Sequence, residues 1–304
     1  MKNGKVHVAL IVVVLAVVGA VAALGARSSR GQSSRTKSEP IVRPTTRITS
    51  NPKTPSTSAA FLAAASENAL LKNELTWTFG GKQQRGWYLY DLLISKTVNT
   101  EDDSDSSDFA AAVAKWQKRT GLQADGILDE EAFMRLVSQW QSNRLKSRDY
   151  PSPDQLLTAP PADFYDPSRL PELRQVEKNT YAAYKRMIAA AIADPSLKLA
   201  HTSTGELASN ERYFKIVSAF RSREYQDELR RKSPNSGTAG LAVNSPHFTG
   251  RALDLYVGGD PVDTKDSNRA IQVNTRAYRW LVRNAERFGF RPYFYEPWHW
   301  EYVK

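Results

Sequence analysis

Apolar and polar positions divide the chain into stretches of different character. Val6 to Ala26 is apolar apart from His7 and small glycines, with Leu10-Ile11-Val12-Val13-Val14-Leu15 near its centre. About 20 such residues span a bilayer as a helix. Residues 27–60 are rich in Ser, Thr, Pro and Arg and hold almost no large apolar side chain. Such a segment cannot bury enough surface to offset its ordering entropy and reads as a flexible basic linker. From residue 61 apolar positions recur at helical spacing. Leu89, Leu92 and Leu93 predict a short helix. Asp108 stands as N-cap of a helix over Phe109 to Arg119, with Phe109, Val113 and Trp116 on one face and Gly121 as its stop. Asp129 caps a third helix with Phe133, Leu136, Val137 and Trp140 apolar. These elements predict a small three-helix domain over residues 61–145. The acidic run from Glu101 to Asp108 lacks the glycine and terminal glutamate of a calcium loop, so it reads as a solvated loop.

Pro151, Pro153, Pro160 and Pro161 mark a linker over residues 146–168. After Asp166-Pro167-Ser168 a long helix is predicted, apolar at Leu173, Val176, Tyr184, Met187, Ile188 and Ala191 and stopped by Asp194-Pro195. Phe214 to Phe220 reads as a strand, with Arg221 at its end and Ser222 capping a helix through Arg230. Residues 231–246 form a polar loop long enough to border a cleft. Ala252 to Val257 is the next strand. Thr275 caps a helix carrying Tyr278, Leu281, Val282, Ala285 and Phe288, and Gly289 closes it. His299 to Val303 is the last strand. Helices before and between non-contiguous strands predict an α+β fold for residues 169–304, a small mostly antiparallel sheet flanked by helices.

Charge changes the picture in one respect. The net charge of +10 over 304 residues would suit nucleic acid. Yet residues 1–60 hold nine Lys/Arg against Glu39 alone, a net +8, which leaves only +2 for the rest. The basic excess belongs to the tail, and no nucleic-acid partner is expected. There is no cysteine, so disulfides and thiolate chemistry are excluded. Residues 1–26 read as an uncleaved signal anchor, longer than a signal-peptide core, with a cleaved signal as the alternative. Arg27, Arg30, Arg35 and Lys37 outnumber Lys2 and Lys5, which taken alone would keep the C-terminal part in the cytoplasm. The domains that follow argue for the outer side of the membrane.

Candidate chemistry gathers in two stretches. The chain has four histidines, and two of them, His247 and His299, lie a few residues from carboxylates. His247, Asp254 and His299 offer two imidazoles and one carboxylate, the donor set of a catalytic zinc site with one position open to water. Gly250 allows a tight turn between His247 and Asp254. Glu296, three residues before His299 across a turn stiffened by Pro297, is then a spare carboxylate able to serve as general base. Arg221 supplies a fixed positive charge for a developing oxyanion or a substrate carboxylate. Trp298 is expected to pack under the site, and Glu301 and Tyr302 to orient a ligand. His201, in a polar loop, is expected at the surface, and Trp280 and Trp300 in the core.

Two resemblances follow from these motifs. Val113-Ala114-Lys115-Trp116-Gln117 followed by Gly121 to Leu128 resembles a peptidoglycan-binding module, with Asp129 and Ala132 where that family usually has glycine and threonine. Ser-x-His-x-x-Gly-x-Ala-x-Asp from Ser245, Glu296-Pro297-Trp298-His299, and Ser218-Ala219-Phe220-Arg221-Ser222 with Gln226 resemble the VanY-type zinc D-alanyl-D-alanine carboxypeptidases over residues 169–304. The resemblance implies one zinc ion on His247, Asp254 and His299, with Glu296 activating the attacking water. It implies Arg221 at the oxyanion, and Ser245 and Gln226 as substrate contacts. The implied activity is removal of the terminal D-alanine from peptidoglycan stem peptides outside the cytoplasmic membrane. L,D-carboxypeptidase or D,D-endopeptidase action is the alternative within the same site. A non-catalytic wall-binding protein is the alternative of another class.

Overall fold

The computed structural model describes residues 57–232 and 243–304, with side chains from residue 61 onward. The expected anchor over 1–26 and nearly all of the linker over 27–60 lie outside the described residues. Among the described residues no helix is long and apolar enough to cross a membrane.

Four helices and a hairpin stand where three helices are predicted. α1 spans Thr57–Glu74, β1 Thr76–Phe79, β2 Lys82–Arg85, α2 Asp91–Val98, α3 Ser107–Thr120 and α4 Glu130–Ser142. α1 has no large apolar stripe to announce it. It docks through Ala64 and Ala65 against Ala110, and through the buried Asn68. The hairpin turns on Gly80-Gly81, whose φ values of 57° and 75° are both positive, as a two-residue turn matched to strand twist requires. α3 is capped by Ser106, not Asp108: the Ser106 side chain accepts from Phe109 N, and Asp108 sits in the first turn. There its charge still favours the positive end of the helix dipole. Asp129 caps α4 through Ala132 N as expected.

The residues that carry the peptidoglycan-binding resemblance hold the α3–α4 loop. Gln117, buried in α3, donates to Asp125 Oδ1 and Ile127 O at 3.0 and 2.9 Å and accepts from Gly126 N at 2.8 Å. Asn68 clasps the same loop from α1, donating to Gly126 O and accepting from Leu128 N.

β3 (Leu156–Thr158) pairs antiparallel with β4 (Gln175–Glu177), and α5 runs Lys178–Ile192. The predicted long helix therefore starts later. Leu173 lies in a 3-10 turn and Val176 in β4, and Glu177 caps α5 by accepting from Asn179 N and Thr180 N. β5 (Ile216–Ser218) is shorter than the expected strand, since Phe214 takes φ 66°. α6 (Arg223–Lys232) has Tyr225 N donating to Ser222 Oγ. β6 spans Ala252–Leu255, α7 Asp266–Val273, α8 Arg276–Asn284, β7 Phe290–Pro292 and β8 His299–Tyr302. α7, β3, β4 and β7 have no counterpart among the predicted elements; each is short, and three of them are only three residues long. Ala285 and Phe288 fall in a 3-10 turn after α8, and Gly289 closes it with φ 93°.

The sheet runs β5-β6-β8-β7, antiparallel throughout. Every residue of β6 and β8 is buried, so both faces are covered. On one side Trp300 packs near Tyr278 of α8. One apolar cluster continues from Leu75 in the helical region to Tyr302 in β8. Within it Phe294 is ringed by Trp77, Phe79, Tyr90 and Trp140 at centroid distances of 6.5, 4.8, 5.4 and 5.7 Å.

Candidate active site

Strand register brings the candidate ligands together. Asp254 on β6 lies opposite His299 on β8, and opposite Ser218 on β5. Side chains at such positions share a sheet face. His247 comes from a 3-10 turn, Pro246–Thr249, capped by Ser245, whose side chain accepts from His247 N at 3.3 Å. That turn ends on Gly250 at φ 66°. A Cβ there would stand 3.0 Å from Glu177 N. Gly250→Ala is therefore expected to lower stability by about 1–2 kcal/mol through left-handed strain and to loosen His247 from Asp254; equal melting temperatures for variant and parent would contradict this.

One ligating atom from each of His247, Asp254 and His299 lies within 4.8 Å of the others, and all three residues are buried. The outer nitrogens are committed. His247 Nδ1 donates to Ala219 O at 2.6 Å, which leaves Nε2 as a lone pair. His299 Nε2 faces Glu301 Oε1 at 3.2 Å, which turns Nδ1 toward Asp254 Oδ1 at 2.9 Å. His247 Nε2 and Asp254 Oδ1 are 3.2 Å apart. Burial, and then the charge of Arg221, push the His247 pKa down to about 4, so at neutral pH these are two acceptors face to face. Such a pair calls for a shared cation. Donors of a four-coordinate metal with bonds near 2 Å sit about 3.3 Å apart, close to the two separations observed. The residues thus fit a divalent metal ion.

The electrostatics agree. Burial alone would raise the Asp254 pKa, but the Arg221 guanidinium and the hydrogen bond from His299 hold it well below the usual range. Burial opposes charge on His299, yet its bonds to Asp254 and Glu301 raise it to about 9. The carboxylates therefore draw a positive charge to this position. Burial likewise opposes ionisation of Glu301, but His299 and Arg144 hold it at about 2.

Glu296 sits on the turn before β8. His299 N donates to Glu296 O at 2.9 Å, closing the turn that contains Pro297. Its Oε2 is 4.0 Å from His299 Nδ1, near the donors yet not among them. Burial raises its pKa to about 8.

Arg221 is fixed by three partners. Nε donates to Ser218 Oγ at 2.9 Å, Nη1 to Gln226 Oε1 at 3.3 Å, and Nη2 to Asp254 Oδ2 at 2.6 Å. Gln226 is buried against the guanidinium it accepts from, and Ser245 is buried as a cap. Trp298 is buried, with its carbonyl accepting from Leu255 N. His201 is exposed, in an antiparallel bridge with Leu207. Trp280 and Trp300 are in the core. Two contributors carry no signal in the sequence. Ala219 offers only a carbonyl, which no residue type signals. Arg144 looks like an ordinary charged helix end, yet it pairs with Glu301.

Fold and site together define an antiparallel-sheet domain built round a buried two-histidine, one-aspartate centre with a carboxylate beside it. Residues 173–304 match the family model described as VanY, D-alanyl-D-alanine carboxypeptidase. Residues 85–136 match that of a putative peptidoglycan binding domain. Residues 173–304 are thus similar to the VanY-type D-alanyl-D-alanine carboxypeptidases, and residues 85–136 to peptidoglycan-binding domains. Among solved structures, "VanYB in complex with D-Alanine-D-Alanine" is similar at 22% identity, covering 43% of this chain and 72% of that chain with a TM-score of 0.28. No curated protein matches.

Proposed function

We propose that the protein is a zinc-dependent D,D-carboxypeptidase that removes the terminal D-alanine from peptidoglycan stem peptides. The observation that carries this reading is the convergence of His247 Nε2, Asp254 Oδ1 and His299 Nδ1, with Glu296 beside them. His247, Asp254 and His299 would hold the zinc ion, which when bound would acidify a water molecule, polarise the scissile carbonyl and lower the proton affinity of Glu296. The Glu296 carboxylate takes a proton from the attacking water as its oxygen bonds to the amide carbon. Glu296 then passes that proton to the leaving nitrogen as the C–N bond breaks. Arg221 has five N–H groups, three of which serve Ser218, Gln226 and Asp254. Its fixed charge remains to stabilise negative charge on the carbonyl oxygen. Ser245 and Gln226 hold the turn and the guanidinium, and we assign them substrate contacts at the same place. The buried site excludes bulk water, which strengthens each of these interactions.

Residues 1–26 anchor the enzyme in the cytoplasmic membrane, and residues 27–60 carry the catalytic part to the wall on the outer side. Mass spectrometry of stem peptides after digestion tests the activity. Loss of one alanine from pentapeptide, with tetrapeptide untouched, is expected. Shortened tetrapeptide would indicate L,D-carboxypeptidase action, and monomers released from cross-linked dimers an endopeptidase. Unchanged peptides in the presence of zinc would leave only the wall-binding reading.

A further inference from the structure

Arg144 stands two residues past α4, where the helical region hands over to the linker. Its guanidinium lies 3.8 Å from the Tyr293 ring centroid. Nε donates to Glu301 Oε1 at 3.1 Å, Nη2 donates to the same oxygen, and Nη1 donates to Gln141 Oε1 at 3.2 Å. The next backbone amide, Leu145 N, donates to Glu301 Oε2 at 2.9 Å. Both oxygens of Glu301 are therefore held by two consecutive residues outside the matched 173–304 region. Glu301 is 0% exposed, so these donors satisfy it in place of solvent. On its far side Glu301 meets His299 Nε2, and the opposite ring nitrogen is the one that converges with Asp254 and His247.

A carboxylate fixes the tautomer and ring orientation of a metal-ligating histidine, and such partners are worth about 10–100-fold in metal affinity. A desolvated carboxylate in turn needs its own donors in fixed geometry, which an arginine fork provides and a lysine point charge does not. We propose that Arg144 is a positioning residue of the metal centre: it orients Glu301 so that His299 presents Nδ1 to the metal, and it makes the helical region a structural part of the active site. The packing of Phe294, two residues before Glu296, among Trp77, Phe79, Tyr90 and Trp140 supports the second half independently. The helical region grips the stretch that leads into the base from behind. It is built as one body with the catalytic sheet, not as a module swinging on a tether.

This inference rests on the metal-dependent reading of the site. The test uses the full chain and measures zinc affinity by competition with a chromophoric chelator. Arg144→Met is expected to weaken zinc binding by about 10–100-fold and to lower kcat, with KM for a stem pentapeptide within about twofold. Arg144→Lys keeps the charge but not the fork, and a smaller loss of about threefold or more is expected. It carries the test should the methionine variant not fold. If Arg144 acts through Glu301, adding Arg144→Met to Glu301→Gln weakens zinc binding no further. Wild-type zinc affinity in the methionine or lysine variant, or additive losses in the double variant, would overturn the inference while leaving the proposed function standing. Absence of zinc binding by the unmodified protein would overturn both.

Discussion

Replacing Glu296 with glutamine is expected to leave the protein folded and able to bind zinc while lowering kcat by about 10²–10⁴-fold, the range for losing a general base. The change is nearly isosteric, so the turn closed by His299 N and Glu296 O persists. Glu296 is not one of the three converging donors, so metal affinity should change little. What is lost is the acceptor for the water proton, because a glutamine amide cannot take one. Zinc titration and steady-state kinetics on the same preparation decide the matter. A variant with more than a tenth of the parent's kcat would assign the proton transfer elsewhere.

Removal of zinc is the second large effect. Exhaustive chelation is expected to abolish peptidase activity, and added zinc to restore it. Peptide cleavage that persists in metal-free protein would sink the mechanism. The fold should survive chelation. Asp254 keeps Arg221, and the β5-β6-β8-β7 ladders hold both strand-borne ligands in place. Stability should nonetheless depend on zinc, because an ion bound only by the folded state stabilises it by about 4 kcal/mol at a thousandfold excess over Kd. Thermal unfolding with and without zinc measures this.

Much of the site was legible because its pieces are local. His247, Gly250 and Asp254 fall within eight residues, and Glu296 and His299 within four. A turn and a strand, readable from glycine, proline and alternation, suffice to place each pair. Helix caps were legible where one polar residue stood at the boundary, as with Asp129 and Thr275. They were misread where two competed. Ser106 won over Asp108 because its backbone takes the extended conformation an N-cap needs. Short elements were missed for a physical reason. A three-residue strand such as β3 or β7 shows no period, and it exists only because a partner strand supplies its hydrogen bonds.

The sequence by itself offered the candidate donors His247, Asp254 and His299, the carboxylate of Glu296 near them, the order of most of the main helices and strands, and the family resemblance. All of these rest on residues close together in the chain. Tertiary structure alone decided that Asp254 pairs in register with His299, that Gln226 accepts from Arg221, and that Arg144 reaches Glu301 across 157 positions. Local conformational preference carries no information about which distant segments will share a water-free space. In that space a buried carboxylate must find donors, and here it finds them in the helical region.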